Sequence, residues 1–157
     1  MRQKQPYFPW TADLSVGIDE IDAQHKLLVE IINRASEALI ERASRETAAQ
    51  ILEDLVQYTF VHFAVEESLF RITDYPGYDE HKAEHERLKR EVFDIRRAFA
   101  RGEVELDLNL LFLLRQWLET HIKDEDRRYI GHLLKAGIKA RWERPGWVGR
   151  IWQNLRT

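Results

Sequence analysis

Five of the six histidines in this chain, His25, His62, His81, His85 and His121, fall on or beside apolar stripes, and Glu66 shares the stripe of His62. One imidazole on such a stripe is commonly a core residue with a single hydrogen-bond partner. Five imidazoles and a carboxylate, converging together, would each need a partner or carry a desolvation cost of roughly 1–3 kcal/mol. A metal ion satisfies all of them at once. The spacings agree: His62-x-x-x-Glu66 and His81-x-x-x-His85 are four-residue steps, which place both donors on one helix face. His121 and Asp126 are five apart, or about 140° around an ideal helix, so spacing alone does not unite them. Within Lys123-Asp124-Glu125-Asp126-Arg127-Arg128, Asp126 reads equally as part of a solvated charged face. Imidazole with carboxylate suits iron, zinc, copper or nickel rather than magnesium or calcium. With Asp126 counted, seven donors exceed a single tetrahedral zinc, so two ions are expected.

Four helices must carry these donors. The first stripe reads Ile21, His25, Leu28, Ile32, Ala35 and Leu39, in alternating steps of four and three, with a start near Asp19. The second reads Ile51, Leu55, Tyr58, His62, Glu66 and Leu69, closed by Asp74-Tyr75-Pro76-Gly77. The third runs His81, His85, Leu88, Val92, Ile95 and Phe99, with Gly102 as its stop. The fourth runs Leu111, Leu114, Leu118, His121 and Glu125, flanked by Leu110 and Trp117. Helices of this length on short loops predict an all-α, up-down-up-down antiparallel four-helix bundle.

Composition bounds the remaining possibilities. The 157 residues are one domain's worth of chain, with a net charge of −3 that argues against a general nucleic-acid binder. The absence of cysteine excludes disulfides, thiolate metal sites and redox thiols. The start, MRQKQPYFPWTADL, has no apolar run behind its basic residues, and no stretch is long and apolar enough to span a membrane. A soluble, cytoplasmic protein is the expectation.

The pattern of residues resembles the hemerythrin family, in its bacterial branch. The resemblance begins at Trp10, runs through Val16-Gly17-Ile18-Asp19-Glu20-Ile21-Asp22-Ala23-Gln24-His25, and resumes at His62-Phe63-Ala64-Val65-Glu66-Glu67. It continues with Tyr75-Pro76, His81-x-x-x-His85 and Trp117-Leu118-x-x-His121-x-x-x-x-Asp126, covering the chain to about residue 135. It implies a non-haem di-iron centre with an oxo or hydroxo bridge, held by His25, His62, Glu66, His81, His85, His121 and Asp126. By the same resemblance Glu66 and Asp126 bridge the ions, His81, His85 and His121 serve one iron, and His25 and His62 serve the other. The second iron is then one ligand short, and the family fills that open position with dioxygen, reversibly. Phe63, Trp117 and Leu118 match residues that line the oxygen pocket, where apolar walls exclude water; plain core packing is the alternative for all three, and for Trp117 it accounts for the residue nearly as well. Phe70 is a departure, since the bacterial family often has methionine there.

Residues 136–157 form a separate extension, beyond a bundle spanning 1–135. It carries five basic residues against one acid and three tryptophans, Trp142, Trp147 and Trp152. After Pro145-Gly146, the residues Val148, Ile151, Trp152 and Leu155 mark one face of a short helix. Such a helix either covers its own bundle or docks on a partner protein or an anionic membrane.

Three functions compete: dioxygen storage, delivery or sensing; a di-iron oxidase or a redox or nitric oxide sensor; and a structural metal site, with zinc as one occupant. Ferritin-like oxidases use carboxylate-rich sites with Glu-x-x-His pairs, whereas these pairs are histidine-rich and four apart. The expectation is an oxygen-binding protein and not an enzyme.

Overall fold

The computed structural model describes residues 4–141, apart from the side chain of Glu125, which the sequence places on the fourth stripe. The four expected helices form: α1 is Asp19–Ile40, α2 Arg45–Ile72, α3 Tyr78–Ala100 and α4 Leu108–Thr120. The fourth continues through one π-helical segment, His121–Asp126, into α5, Arg127–Lys135. No strand occurs among the described residues.

Local chemistry sets the ends. The Ser44 side chain accepts from Thr47 N at the start of α2, and that of Asp107 accepts from Leu110 N at 2.8 Å at the start of α4. Beyond α3, Gly102 takes φ +75°, and Glu103 N donates to Ala98 O at 2.9 Å, closing the helix as the sequence indicates.

Packing follows the apolar stripes. α1 lies between α2 and α4, and α3 packs on α2. Ile21, Leu28, Ile32, Leu55, Leu88, Val92, Leu111 and Leu114 are buried between them. Leu39, Leu69 and Ile95, expected inward, are half-buried at the stripe edges. α3 and α4 pack less closely, leaving a cleft of about 590 Å³ lined by Leu88, Ile95, Leu113, Trp117 and His121, with Glu84, Arg87 and Glu91 among its other residues.

The chain before α1 is an arm fastened along the bundle. Phe8 is buried; its backbone N–H donates to Asn33 Oδ1 at 2.7 Å and its carbonyl accepts from Asn33 Nδ2 at 2.9 Å. The Arg115 guanidinium donates to Tyr7 O and lies over the Phe8 ring. Lys123, in the π segment, pairs with Asp13 at 3.1 Å. After α5 the chain returns to the start of α1, where Asp19 N donates to Ala140 O at 2.8 Å. The helix expected on Val148–Leu155, with Trp142, Trp147 and Trp152, lies outside the described residues. Among the described residues, no helix is long and apolar enough to cross a membrane.

Candidate metal centre

The seven residues singled out from the sequence meet at one place, at the end of the bundle where α1 begins. α1 supplies His25, α2 His62 and Glu66, α3 His81 and His85, and the π segment His121 and Asp126. All are at least 96% buried, and five of them fully so. Their donor atoms form two overlapping groups, His25, His62, Glu66, His121 and Asp126, and Glu66, His81, His85 and Asp126, each within 4.8 Å of one another. Glu66 and Asp126 belong to both.

The carboxylate oxygens divide the imidazoles. Glu66 Oε1 faces His62 Nε2 at 2.7 Å and His25 Nε2 at 3.7 Å. Its Oε2 faces His85 at 2.9 Å, and His81 and His121 at 3.9 Å each. Asp126 Oδ2 faces His25 at 2.7 Å and His62 at 3.9 Å, while Oδ1 faces His121 at 3.2 Å and His81 at 3.5 Å. Two imidazoles thus stand on one side and three on the other. His121 is near both groups, but each carboxylate oxygen it approaches is one that faces His81, which places it on the three-imidazole side.

Many of the atoms that make these approaches lack hydrogen-bond geometry. Glu66 Oε2, both Asp126 oxygens, and Nε2 of His81, His85 and His121 are buried and have no hydrogen-bond partner. Orphaned buried polar atoms are costly, and a set of them aimed at common points is what a bound cation would satisfy. The donor set therefore fits a metal, and its all-nitrogen and oxygen chemistry suits iron.

The titration behaviour points the same way. Burial opposes charge on His25, but contact with Asp126 and Glu66 outweighs it and raises the imidazole to about 9. His85 is likewise raised to about 9 against its burial, by Glu66 and Glu67. Burial raises Glu66 and Asp126, yet the surrounding imidazoles hold both well below the usual carboxylate range. His121 is pushed down by burial. Without metal, protons on imidazoles neutralise the two carboxylates, so the centre demands positive charge.

A surrounding layer, which the sequence reading did not single out, holds the donors. The buried Tyr129 hydroxyl donates to Glu66 Oε1 at 2.9 Å, and burial pushes its own pKa well above the usual value. Gln24 Oε1 lies 2.6 Å from His62 Nδ1, and Glu67 Oε1 lies 3.1 Å from His85 Nδ1. Gln24 and Glu67 each adjoin a histidine or carboxylate of the centre in sequence, which is the one signal that marked them. Tyr129 follows Asp126 by three residues, one helical turn on. The sixth histidine, His132, is apart from the centre and its Nε2 meets Thr73 O at 2.7 Å.

Phe63, Trp117 and Leu118 are buried, and Trp117 shares the cleft wall with His121. The Phe63 ring stacks on His85 with centroids 4.0 Å apart and planes 2° apart, and tilts against His121 at 4.9 Å. Phe70 packs against His81 at 4.9 Å and Tyr129 at 4.7 Å.

A family model described as the hemerythrin HHE cation binding domain matches residues 16–133. The chain is 37% identical to the bacteriohemerythrin of Pseudomonas aeruginosa over 144 residues, 90% of this chain and 92% of that one. It is 33% identical to that of Stenotrophomonas maltophilia, with the same coverage. The solved structure of wild-type hemerythrin superposes with a TM-score of 0.75 at 28% identity, covering 81% of this chain and 98% of that one. The chain belongs to the hemerythrin family.

Proposed function

We propose that this chain binds dioxygen reversibly at a non-haem di-iron centre, for storage, delivery or sensing. His81, His85 and His121 would hold one iron and His25 and His62 the other, with Glu66 and Asp126 shared between the two and an oxo or hydroxo group completing the pair. The observation that carries this reading is the uneven division of the imidazoles about the two carboxylates, three facing Glu66 Oε2 and Asp126 Oδ1 and two facing the other oxygens. The chemistry such a centre would supply is two electrons from a ferrous pair and a coordination position for a small ligand on the two-imidazole side. The names of the relatives support the same reading.

The chain's own residues favour holding a ligand over transforming one. Phe63 is completely buried against the rings of His85 and His121 and keeps water from them. Tyr129 donates its proton to Glu66, and burial holds that proton on the hydroxyl. The imidazoles and carboxylates are committed to the ions, which leaves no free general acid or base among the described residues that meet at the centre.

The test is the visible spectrum of anaerobic, ferrous-loaded protein. Reversible binding predicts a charge-transfer band that appears in air and disappears under argon over repeated cycles. An irreversible move to the ferric spectrum in the first cycle would overturn the proposal and favour oxygen consumption.

A further inference from the structure

The two sides of the centre differ in a second way, beyond the count of imidazoles. On the two-imidazole side, His62 Nδ1 meets a neutral amide, Gln24 Oε1, at 2.6 Å, and His25 Nδ1 has no partner. On the three-imidazole side, His85 Nδ1 meets a carboxylate, Glu67 Oε1, at 3.1 Å, and His121 Nδ1 has no partner. The partner seen at His62 Nδ1 on one side is thus neutral, and the partner seen at His85 Nδ1 on the other is anionic.

The direction of these bonds follows from the inner end of each ring. Nε2 of His62 and of His85 turn to Glu66, at 2.7 and 2.9 Å. For Nε2 to offer its lone pair to a metal, the ring proton must sit on Nδ1, so His62 donates to Gln24 and His85 donates to Glu67. A carboxylate draws that proton more strongly than an amide oxygen does, which makes the ring a stronger donor through Nε2. A stronger donor stabilises the ferric ion over the ferrous one. Phe63, stacked flat on His85, blocks rotation of the ring away from this partner. Glu67 is 13% exposed, so solvent does little to dilute its charge.

We infer that Glu67 is a positioning residue that fixes the His85 tautomer and makes the three-imidazole iron the more easily oxidised of the two, with neutral Gln24 as its counterpart on the other side. This rests on the di-iron reading above.

The test loads wild type, Glu67→Gln and Gln24→Glu with ferrous iron under argon, counts iron per chain, and records midpoint potentials by spectroelectrochemical titration. All three are expected to hold two irons. The potential rises in E67Q, with autoxidation slowed about 10-fold or more, and falls in Q24E. A purely structural role for Glu67 would change iron content and leave the potential alone, so equal potentials in iron-replete wild type and E67Q overturn the inference. Should E67Q not load, Q24E runs the same exchange in reverse, and an unchanged potential there overturns it equally. Glu67→Asp, which keeps the charge, is expected to fall nearer wild type than E67Q does. Fewer than two irons in wild type would instead overturn the di-iron reading, and this inference with it.

Discussion

Asp126 Oδ1 lies 3.2 Å from His121 Nε2 although five residues separate them, because the chain between them is π-helical. A π turn closes i→i+5, so a residue five on stands about one turn above, where a regular α-helix would swing it about 140° away. Single-turn π segments of this kind recur at functional sites. Here the device brings Asp126 into the centre and carries the register on to Tyr129 and Leu133, both buried.

Two variants test that device. Asp126→Ala removes a carboxylate shared by both donor groups, and cobalt or iron stoichiometry is expected to fall from two per chain to one or none. Deleting the exposed Asp124 restores a continuous α-helix with His121 and Asp126 four apart, still one turn from each other. That variant is expected to keep its far-UV helicity and its two ions, with weaker binding. Loss of both ions on deletion, alongside full stoichiometry in D126A, would refute the account.

The metal-free protein should show an inverted pH profile. His25 and His85 are raised from 6.5 to about 9 by their carboxylate partners. Their contribution to stability is therefore complete below pH 6.5 and is lost as pH rises through about 9. Glu66 and Asp126 are lowered from 4.5 and 3.8, so their contribution is present above those values and is lost as pH falls. His121, pushed down by burial, adds a contribution that is lost as pH falls below 6.5, so thermal melts of metal-free protein are expected to peak near pH 6.5 and to decline toward pH 9. Metal loading displaces the imidazole protons, so calorimetry in buffers of different ionisation enthalpy should register proton release, and affinity should drop as pH falls. A flat metal-free profile between pH 6.5 and 9 would contradict this picture.

Much of this was legible in the sequence because the bundle is built from period and punctuation. The alternation of four and three residues placed His25, His62 and His85 with Leu28, Leu55 and Leu88 on single faces, and Gly102 and Asp74-Tyr75-Pro76-Gly77 marked real helix ends. The π segment was not legible, since a 3.6-residue period is assumed when stripes are read. On that assumption Asp126 pointed away, and only the family resemblance restored it. Gln24, Glu67 and Tyr129 escaped for another reason: they touch ligands and not the core, and a polar residue beside a stripe looks the same whether it faces water or an imidazole. The arm before α1 has no period, so the burial of Phe8 against Asn33 and Arg115 had no sequence signature.

The hydrogen bond from Tyr129 to Glu66 can be isolated from the packing of its ring. Tyr129→Phe keeps the contacts with Phe70 at 4.7 Å and His81 at 5.4 Å and removes the hydroxyl. A hydrogen bond to a buried carboxylate is worth about 1.5–3 kcal/mol, so the metal-free protein should lose that much in denaturant unfolding. Tyr129→Ala should lose more, about 3–5 kcal/mol, because a cavity is added. No loss in Y129F would show that the hydroxyl contributes nothing.

Phe63 separates stability from protection of the centre. Its ring is fully buried and lies flat on His85. Phe63→Ala should cost about 3–5 kcal/mol through lost burial and the cavity left behind. Phe63→Leu fills most of that space and should cost less than half as much, yet it lacks the flat face that holds the His85 ring. Both variants admit motion or water beside the iron-loaded centre, so both should lose the oxygenated spectrum faster than wild type does. If F63L matched wild type in that decay while F63A did not, filling the volume would be the whole of Phe63's role, and its stacking on His85 would have no functional consequence.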